Sequence, residues 1–290
     1  MDCVILFRDF LQSHYGPLDL VPIPDGDIHR FHISGDRQGT LNGWYLLFAD
    51  GISSGCFGSW KTGKSHTWRS REPANHQEAL LIHQRIEQAK RQREAELHQR
   101  QQSTAEYANR LWRDSRRADP DHPYLVAKGV RAFALRQSGD VLLVPLTSAG
   151  KIVNLQRIYP DGAKRFLSGG MVKGCCSPLG SITADQPLYL CEGWATGATI
   201  HTETGAAVAC AMNAGNLLEV GRKLQRQHPD SILIVAGDDD RQTEGNPGRS
   251  YATKAATVLG CGLVLPQWPT DAPQNLSDFN DLRQWRELCQ

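Results

Sequence analysis

The sequence predicts an α/β protein, α+β overall, organised around an open, Rossmann-like parallel sheet. Three observations carry this. Between Leu188 and Asp240, the apolar runs Leu188-Tyr189-Leu190-Cys191 and Ile232-Leu233-Ile234-Val235-Ala236 each deliver carboxylates at their C-terminal ends, with a helical pattern between them. Nearer the N-terminus, from Ile28 to Trp68, short β-forming runs rich in Gly and aromatics flank an Asp50-Gly51 hairpin signal. From Ala74 to Arg117 long polar and charged residues dominate, as in a solvated helix. The chain then divides into a small β-rich module (1–72), a long helical linker (73–118), a mixed α/β basic segment (119–184), the parallel-sheet domain (185–268) and a tail helix (269–290).

The 290 residues allow two or three modest domains, and 40% hydrophobic with 22% charged content is ordinary for a soluble globular chain. A net charge of +1 excludes a global basic field, so any polyanion site must come from local clustering. No apolar run approaches membrane-spanning length, and Met1-Asp2-Cys3 lacks the basic start of a signal peptide. The 8 cysteines include no Cys-x-x-Cys pair, so no zinc is expected, and a reducing cytoplasm is the expected location.

Taken in order, residues 1–16 form an amphipathic helix with Val4, Phe7, Phe10 and Leu11 on one face, ended by Gly16-Pro17. The runs at His29–Ile33, Gly43–Phe48 and Ser54–Trp60 make a small antiparallel sheet. Gly58–Ser65 fits the G-x-x-x-x-G-K-S pattern of a phosphate loop, but His66-Thr67-Trp68 is a poor helix start, so the match reads as a decoy. Trp44, Tyr45, Phe57, Trp60 and Trp68 stand among Lys61, Lys64, Arg69 and Arg71. They either stack unpaired bases or fill the core of a small sheet. The charged stretch reads as a spacer helix bent near Gln102-Ser103-Thr104, then a second helix, Ala105–Arg117.

Beyond Asp119-Pro120, a short helix ends at Lys128-Gly129. Val141–Leu146 and Lys151–Tyr159 pair as a hairpin, and Lys164–Leu167 follows the Pro160-Asp161-Gly162 turn. The next helix starts at Gly193, directly after Glu192, so its free amides face the same edge as that carboxylate. Ala206–Ala211 is a strand, and Asn213 or Asn216 caps the Leu217–Gln227 helix or orients a phosphate. A Gly248–Leu259 helix and a Gly262–Pro266 strand complete the domain; Asp278-x-x-Asp281, spaced by one helical turn, then adds carboxylates to the acidic edge or simply caps the tail helix.

Acidic residues after buried strands often serve only as turn formers or caps. Here Glu192 on one strand end and Asp238-Asp239-Asp240 on the next can meet in space, where they repel unless a divalent cation lies between them. Their hard oxygens favour Mg²⁺ or Mn²⁺. These residues, in this order, resemble the toprim domain of bacterial DnaG-type primases, topoisomerases and certain nucleases, over about Pro187 to Trp268. The chain departs from those primases at Asp239, where many carry Gly, and in an insertion, Arg241–Pro247.

Upstream, the succession Tyr124-Leu125, Val144-Pro145-Leu146, Gly150-Lys151-Ile152, Gln156-Arg157-Ile158, Asp161-Gly162 and Gly169-Gly170 is similar to the segment that precedes toprim in the same primases. The N-terminal module stands where their zinc-binding module does, without its cysteines. The resemblance implies a DNA primase of plasmid, phage or integrative-element type, making short RNA primers on single-stranded DNA from NTPs. It implies Glu192, Asp238 and Asp240 as catalytic residues and, with Asp278, as metal ligands. Lys128, Arg157, Lys164 and Lys173 would bind nucleotide and template. With no helicase motifs in view, a replicative helicase is expected on a separate chain. A toprim nuclease would use the same acids without the upstream basic segment, a topoisomerase would need a further domain bearing a tyrosine nucleophile, and a non-catalytic accessory protein binding single strands would not need the three acids.

Overall fold

The computed structural model describes residues 2–183 and 186–289. The chain divides into two compact units, residues 1–99 and 100–290. Among the described residues no helix is long and apolar enough to cross a membrane.

In the first unit, α1 (Cys3–Tyr15) starts at Asp2, whose carboxylate accepts the Val4 N–H at 3.0 Å, and stops at Gly16. Four strands, β1 (His29–Phe31), β2 (Gly43–Phe48), β3 (Ser54–Ser59) and β4 (Ser65–Arg69), pair antiparallel in sequence order. One face packs Phe31, Tyr45, Leu47 and Phe57 against Phe7 and Leu11 of α1. The other packs Trp44, Leu46 and Cys56 against Ile86 and Ala89 of α2 (His76–Asp114). Trp44, Tyr45 and Phe57 are therefore core residues, and base stacking is closed to them. Since β3 ends at Ser59 and β4 begins at Ser65, the P-loop-like match is a hairpin turn with no helix N-terminus to hold phosphate. Arg85 is buried too, and its guanidinium donates to the Asp50 and Ile52 carbonyls at 2.9 and 3.0 Å, which offsets the cost of taking a cation from water.

The sequence suggests two helices between 74 and 117; the structure has one, α2, of 39 residues. Nothing near Gln102-Ser103-Thr104 breaks the helical ladder, since neither Gly nor Pro occurs there. Nor is α2 merely solvated. Its C-terminal part supplies Ala108, Leu111 and Trp112 to a core of the second unit, against Leu143, Leu155 and Leu167. Arg136 closes the helix by donating to the Trp112, Arg113 and Ser115 carbonyls.

The second unit holds two sheets. β5 (Arg116–Arg117), β6 (Arg136–Ser138), β7 (Val141–Ser148), β8 (Lys151–Ile158) and β9 (Lys164–Phe166) are antiparallel in sequence order, with α3 (Pro123–Lys128) between β5 and β6. The register pairs Val144 with Gln156 and Leu143 with Arg157, so Gln156 and Arg157 face opposite sides of this sheet. The other sheet runs β10 (Ser177–Leu179), β12 (Val208–Cys210), β11 (Leu188–Cys191), β13 (Leu233–Ala236), β14 (Gly262–Val264). All but the antiparallel edge strand β10 are parallel. The crossover helices are α4 (Trp194–Thr204), α5 (Leu217–Gln227) and α6 (Pro247–Leu259), and the last helix is α7 (Phe279–Leu288). On β12 Val208 and Cys210 share a core with α4, while Ala209 and the flanking Ala207 and Ala211 share one with α5 and α6. A Cβ at Gly197 would come within 2.3 Å of the Cys210 sulfur, so glycine lets α4 lie close to the sheet. The first core also takes in Tyr124, Leu125, Leu142, Val144, Leu146 and Ile158, which joins the antiparallel sheet to the parallel one.

Asn216 precedes α5, yet its side chain makes no capping hydrogen bond. Its Oδ1 accepts the Gly174 N–H at 2.7 Å, and its Nδ2 donates to the carbonyls of Val172, Cys175 and Ala211 at 3.1, 3.0 and 2.8 Å. It ties the segment before β10 to the end of β12. Asn216→Ala strands these buried groups and is expected to cost about 2–4 kcal/mol. Asn216→Asp, which turns a carboxylate toward three carbonyls, is expected to cost at least as much. Thermal unfolding of the two variants tests this, and an unchanged Tm in both would refute it.

Candidate active site

Parallel strands β11, β12 and β13 lie side by side, so the residues following them share one sheet edge: Glu192, Met212 and Asp238. The Met212 N–H donates to the Glu192 carbonyl at 2.7 Å, and Met212 takes a left-handed φ of 69°, a strained conformation at the wall of the site. A cavity of about 190 Å³ opens here, with Glu192, Asp238 and Asp278 in its lining together with Lys128, Gln156 and Lys164. Asp278 does both things its sequence position allows. One oxygen caps α7 by accepting the Asp281 N–H at 2.8 Å, and the other accepts the Thr196 hydroxyl at 3.1 Å. Asp240 sits beside the cavity rather than in its lining, and accepts the Gly248 N–H at 2.8 Å at the start of α6. Asp239 is buried and structural, bonded by the Asn246 amide at 2.7 Å and the Trp268 indole at 3.2 Å.

The electrostatics are those of an acidic cluster short of cations. Burial, then repulsion from Asp278, Glu192, Asp240 and Asp281, pushes the Asp238 carboxyl up to about 8. Its Oδ1 is buried, with no hydrogen-bond partner among the described residues. Burial also raises Glu192; the Ala214 N–H bonded to it works the other way, and Asp240 adds to the rise. Lys164 is exposed overall, yet its ammonium lies 5.4 Å from the Tyr124 ring centre and lines the cavity. There the partial loss of water, then repulsion from Lys128, lowers its pKa despite the nearby carboxylates. For Lys128 burial acts to lower the pKa, but attraction to Asp278 and Asp281 outweighs it and the net shift is upward. Asp281 pairs with the Lys128 ammonium at 3.2 Å.

An orphaned, buried carboxylate oxygen among mutually repelling carboxylates fits a divalent cation, and an all-oxygen donor set fits Mg²⁺ or Mn²⁺. Among the described residues no three His, Cys, Asp or Glu side chains already converge as a ready-made ligand group. The acids flank the cavity rather than meeting at a point.

Of the basic residues singled out in the sequence, Lys128 and Lys164 reach this cavity; Arg157 and Lys173 do not line it. The alternation of β8 turns Arg157 to the opposite face and brings its neighbour Gln156 in. Lys173 is exposed on the segment tied down by Asn216. Sequence reasoning missed Gln156, Thr196 and Met212, which carry no signal of their own in the sequence. Asp281, which the sequence offers one helical turn beyond Asp278, stands beside the cavity, paired with Lys128.

Residues 187–286 match the family of the toprim domain. This segment is a toprim domain. The chain is also 34% identical over 271 residues to a DNA primase TraC of Escherichia coli, covering 87% of this chain and 19% of that protein. A second Escherichia coli DNA primase TraC is 34% identical over 268 residues, 84% of this chain and 24% of that protein. The chain thus spans about a fifth of the length of these curated relatives. Among solved structures, the zinc-binding and RNA polymerase domains of the Aquifex aeolicus primase are 13% identical at a TM-score of 0.42, covering 98% of this chain and 84% of that one, a likeness too slight to carry weight.

The toprim cavity has a measurable signature. In metal-free protein Asp238 keeps its proton up to about pH 8, whereas in the unfolded chain it ionises near 4, so the native state holds the extra proton between those values. Stability therefore falls as pH rises through this window and levels off above it. Asp238→Asn should flatten that fall, its Tm gain being larger at pH 8 than at pH 5. Wild type should gain Tm from Mg²⁺ or Mn²⁺, increasingly so toward pH 8 as the proton is displaced, and Asp238→Asn should lose most of that gain. Thermal melts with and without metal across pH 5–9 check this; parallel curves for the two proteins would refute it.

Proposed function

We propose that this chain is the priming core of a plasmid-type DNA primase, which makes short RNA primers from NTPs on a single-stranded DNA template. The observation that carries this reading is one cavity shared by toprim carboxylates and by lysines of the preceding antiparallel-sheet segment. The likeness to TraC supports it, because that likeness extends well beyond the toprim domain. A toprim nuclease would have no need of that shared lining.

Glu192, Asp238, Asp240 and Asp278 would hold the divalent ions, Mg²⁺ or Mn²⁺. Bound there, such ions help ionise the primer 3′-hydroxyl and offset the charge of the departing pyrophosphate. Glu192, with its carboxyl raised by burial, is suited to take the proton of that hydroxyl. Lys128 and Lys164 would draw the triphosphate onto the cavity and neutralise charge as the α-phosphate is attacked. Gln156, beside them, can hydrogen-bond the nucleotide without adding charge. Lys173, being exposed, is available to the template backbone outside the cavity. Single-stranded template would come from a replicative helicase. All 8 cysteines are free, which supports a reducing, cytoplasmic setting.

The test is primer synthesis on single-stranded DNA with labelled NTPs and Mg²⁺ or Mn²⁺, beside an Asp238→Ala/Asp240→Ala double variant verified to fold. Short, template-dependent products, reduced at least ~100-fold in the variant, are expected. Metal-dependent degradation of the template would replace this reading with a nuclease. Binding of single strands with neither activity would overturn it.

A further inference from the structure

Helix α3 has six residues, and the carbonyls at its C-terminal end have no partner within so short a helix. Two of them, and that of the capping Gly129, are met by side chains of α7. Gln284 donates to the Ala127 carbonyl at 3.0 Å, Asn280 to that of Lys128 at 2.7 Å, and Arg283 to those of Lys128 and Gly129 at 3.0 and 2.7 Å. Gly129 has a φ of 58°, and a Cβ there would stand 2.8 Å from the Arg283 guanidinium, so glycine serves both the turn and the approach.

Asn280 is the centre of this contact. It is fully buried; its amide also donates to the Thr199 hydroxyl of α4 at 2.9 Å, and its oxygen accepts from Gln284 at 3.2 Å. Thus one side chain joins α7, α3 and α4. The flanking acids serve the same geometry: Asp278 bonds Thr196 of α4, and Asp281 pairs with the Lys128 ammonium at 3.2 Å while accepting the Ser277 N–H. Lys128 is therefore gripped at both ends, by its carbonyl and by its ammonium. A helix needing only to bury an apolar stripe has Phe279 and Leu282 for that purpose.

We propose that Asn280, with Arg283 and Gln284, is a positioning residue that holds Lys128 at the toprim cavity. The proposal rests on the reading that Lys128 meets the phosphates of an incoming nucleotide. Asn280 does not line the cavity and acts on it through Lys128. An ångström of misplacement at a phosphate contact can cost up to about 100-fold in rate.

The test is a double-mutant cycle on kcat/KM for NTP incorporation in the full chain. Asn280→Ala and Lys128→Ala should each lower it about 10- to 100-fold, and the double variant should be no worse than Lys128→Ala, because the contact acts through one lysine. Losses that multiply would overturn the proposal. Arg283→Met, at the same Lys128 carbonyl but less buried, provides a second cycle should Asn280→Ala fold poorly. A measurement free of priming activity is the acetylation rate of each lysine by acetic anhydride, read by mass spectrometry. Lys128 should react severalfold faster in the Asn280→Ala or Arg283→Met variant, with Lys164 unchanged. Unaltered Lys128 reactivity in both overturns the positioning role, whereas altered reactivity in a chain that never primes would sink the primase reading instead.

Discussion

Glu192, Asp238 and Asp278 surround one small cavity, and the protein supplies only part of the positive charge that they require. The raised Asp238 carboxyl and its unpartnered oxygen express that deficit. A fold would gain nothing from keeping such a cluster for stability alone, since an unpaired buried carboxylate costs free energy. The parallel order β12-β11-β13 brings the acids together once Glu192 and Asp238 follow β11 and β13, because these neighbouring strand ends open on one edge. What surrounds the edge keeps the acids in place. The Met212 N–H ties two strand ends together, Gly248 holds Asp240, and Thr196 holds Asp278.

The antiparallel sheet before the toprim domain is no appendage, since its Leu142, Val144, Leu146 and Ile158 lie in one core with Trp194, Ala198 and Cys210. Through that shared core α3 and β9 come to the acidic edge and carry Lys128 and Lys164 to it. The cations thus arrive on elements whose backbone is fixed by packing, rather than on loops. Asn216 does comparable work on the side of β10, where buried hydrogen bonds replace apolar packing.

Much of this was legible in the sequence because it is local. Strand runs, the Gly193 helix start, the failed P-loop and the Glu192 and Asp238 positions follow from periodicity, turn chemistry and capping rules. What escaped was set by pairing and packing. Arg157 and Gln156 are neighbours, and only the register with Leu143 and Val144 decides which faces the acids. Asn216 looked like a cap because it precedes a helix, but its partners lie up to 44 residues away in sequence. The continuity of α2 was hidden because its thin apolar stripe is divided between two cores. Trp44 and Phe57 could stack or pack on composition alone, and only the helices covering both sheet faces decide it.

Under the proposed priming reading, the two cavity lysines differ in a way that bears on how a triphosphate would be received. Lys128 already rests against Asp281, so a phosphate must compete with a carboxylate for it. Lys164, with its pKa lowered by lost hydration and by Lys128, has no such ion pair among the described residues. An incoming anion would therefore gain more from Lys164 on first contact and more from Lys128 only after displacing Asp281. Releasing Asp281 would leave its negative charge unpaired near Asp278 and Asp238, which strengthens the demand for a divalent cation at the same moment. Nucleotide and metal would then favour one another through the lysine–carboxylate exchange, a coupling that follows from charge balance in a cavity of about 190 Å³.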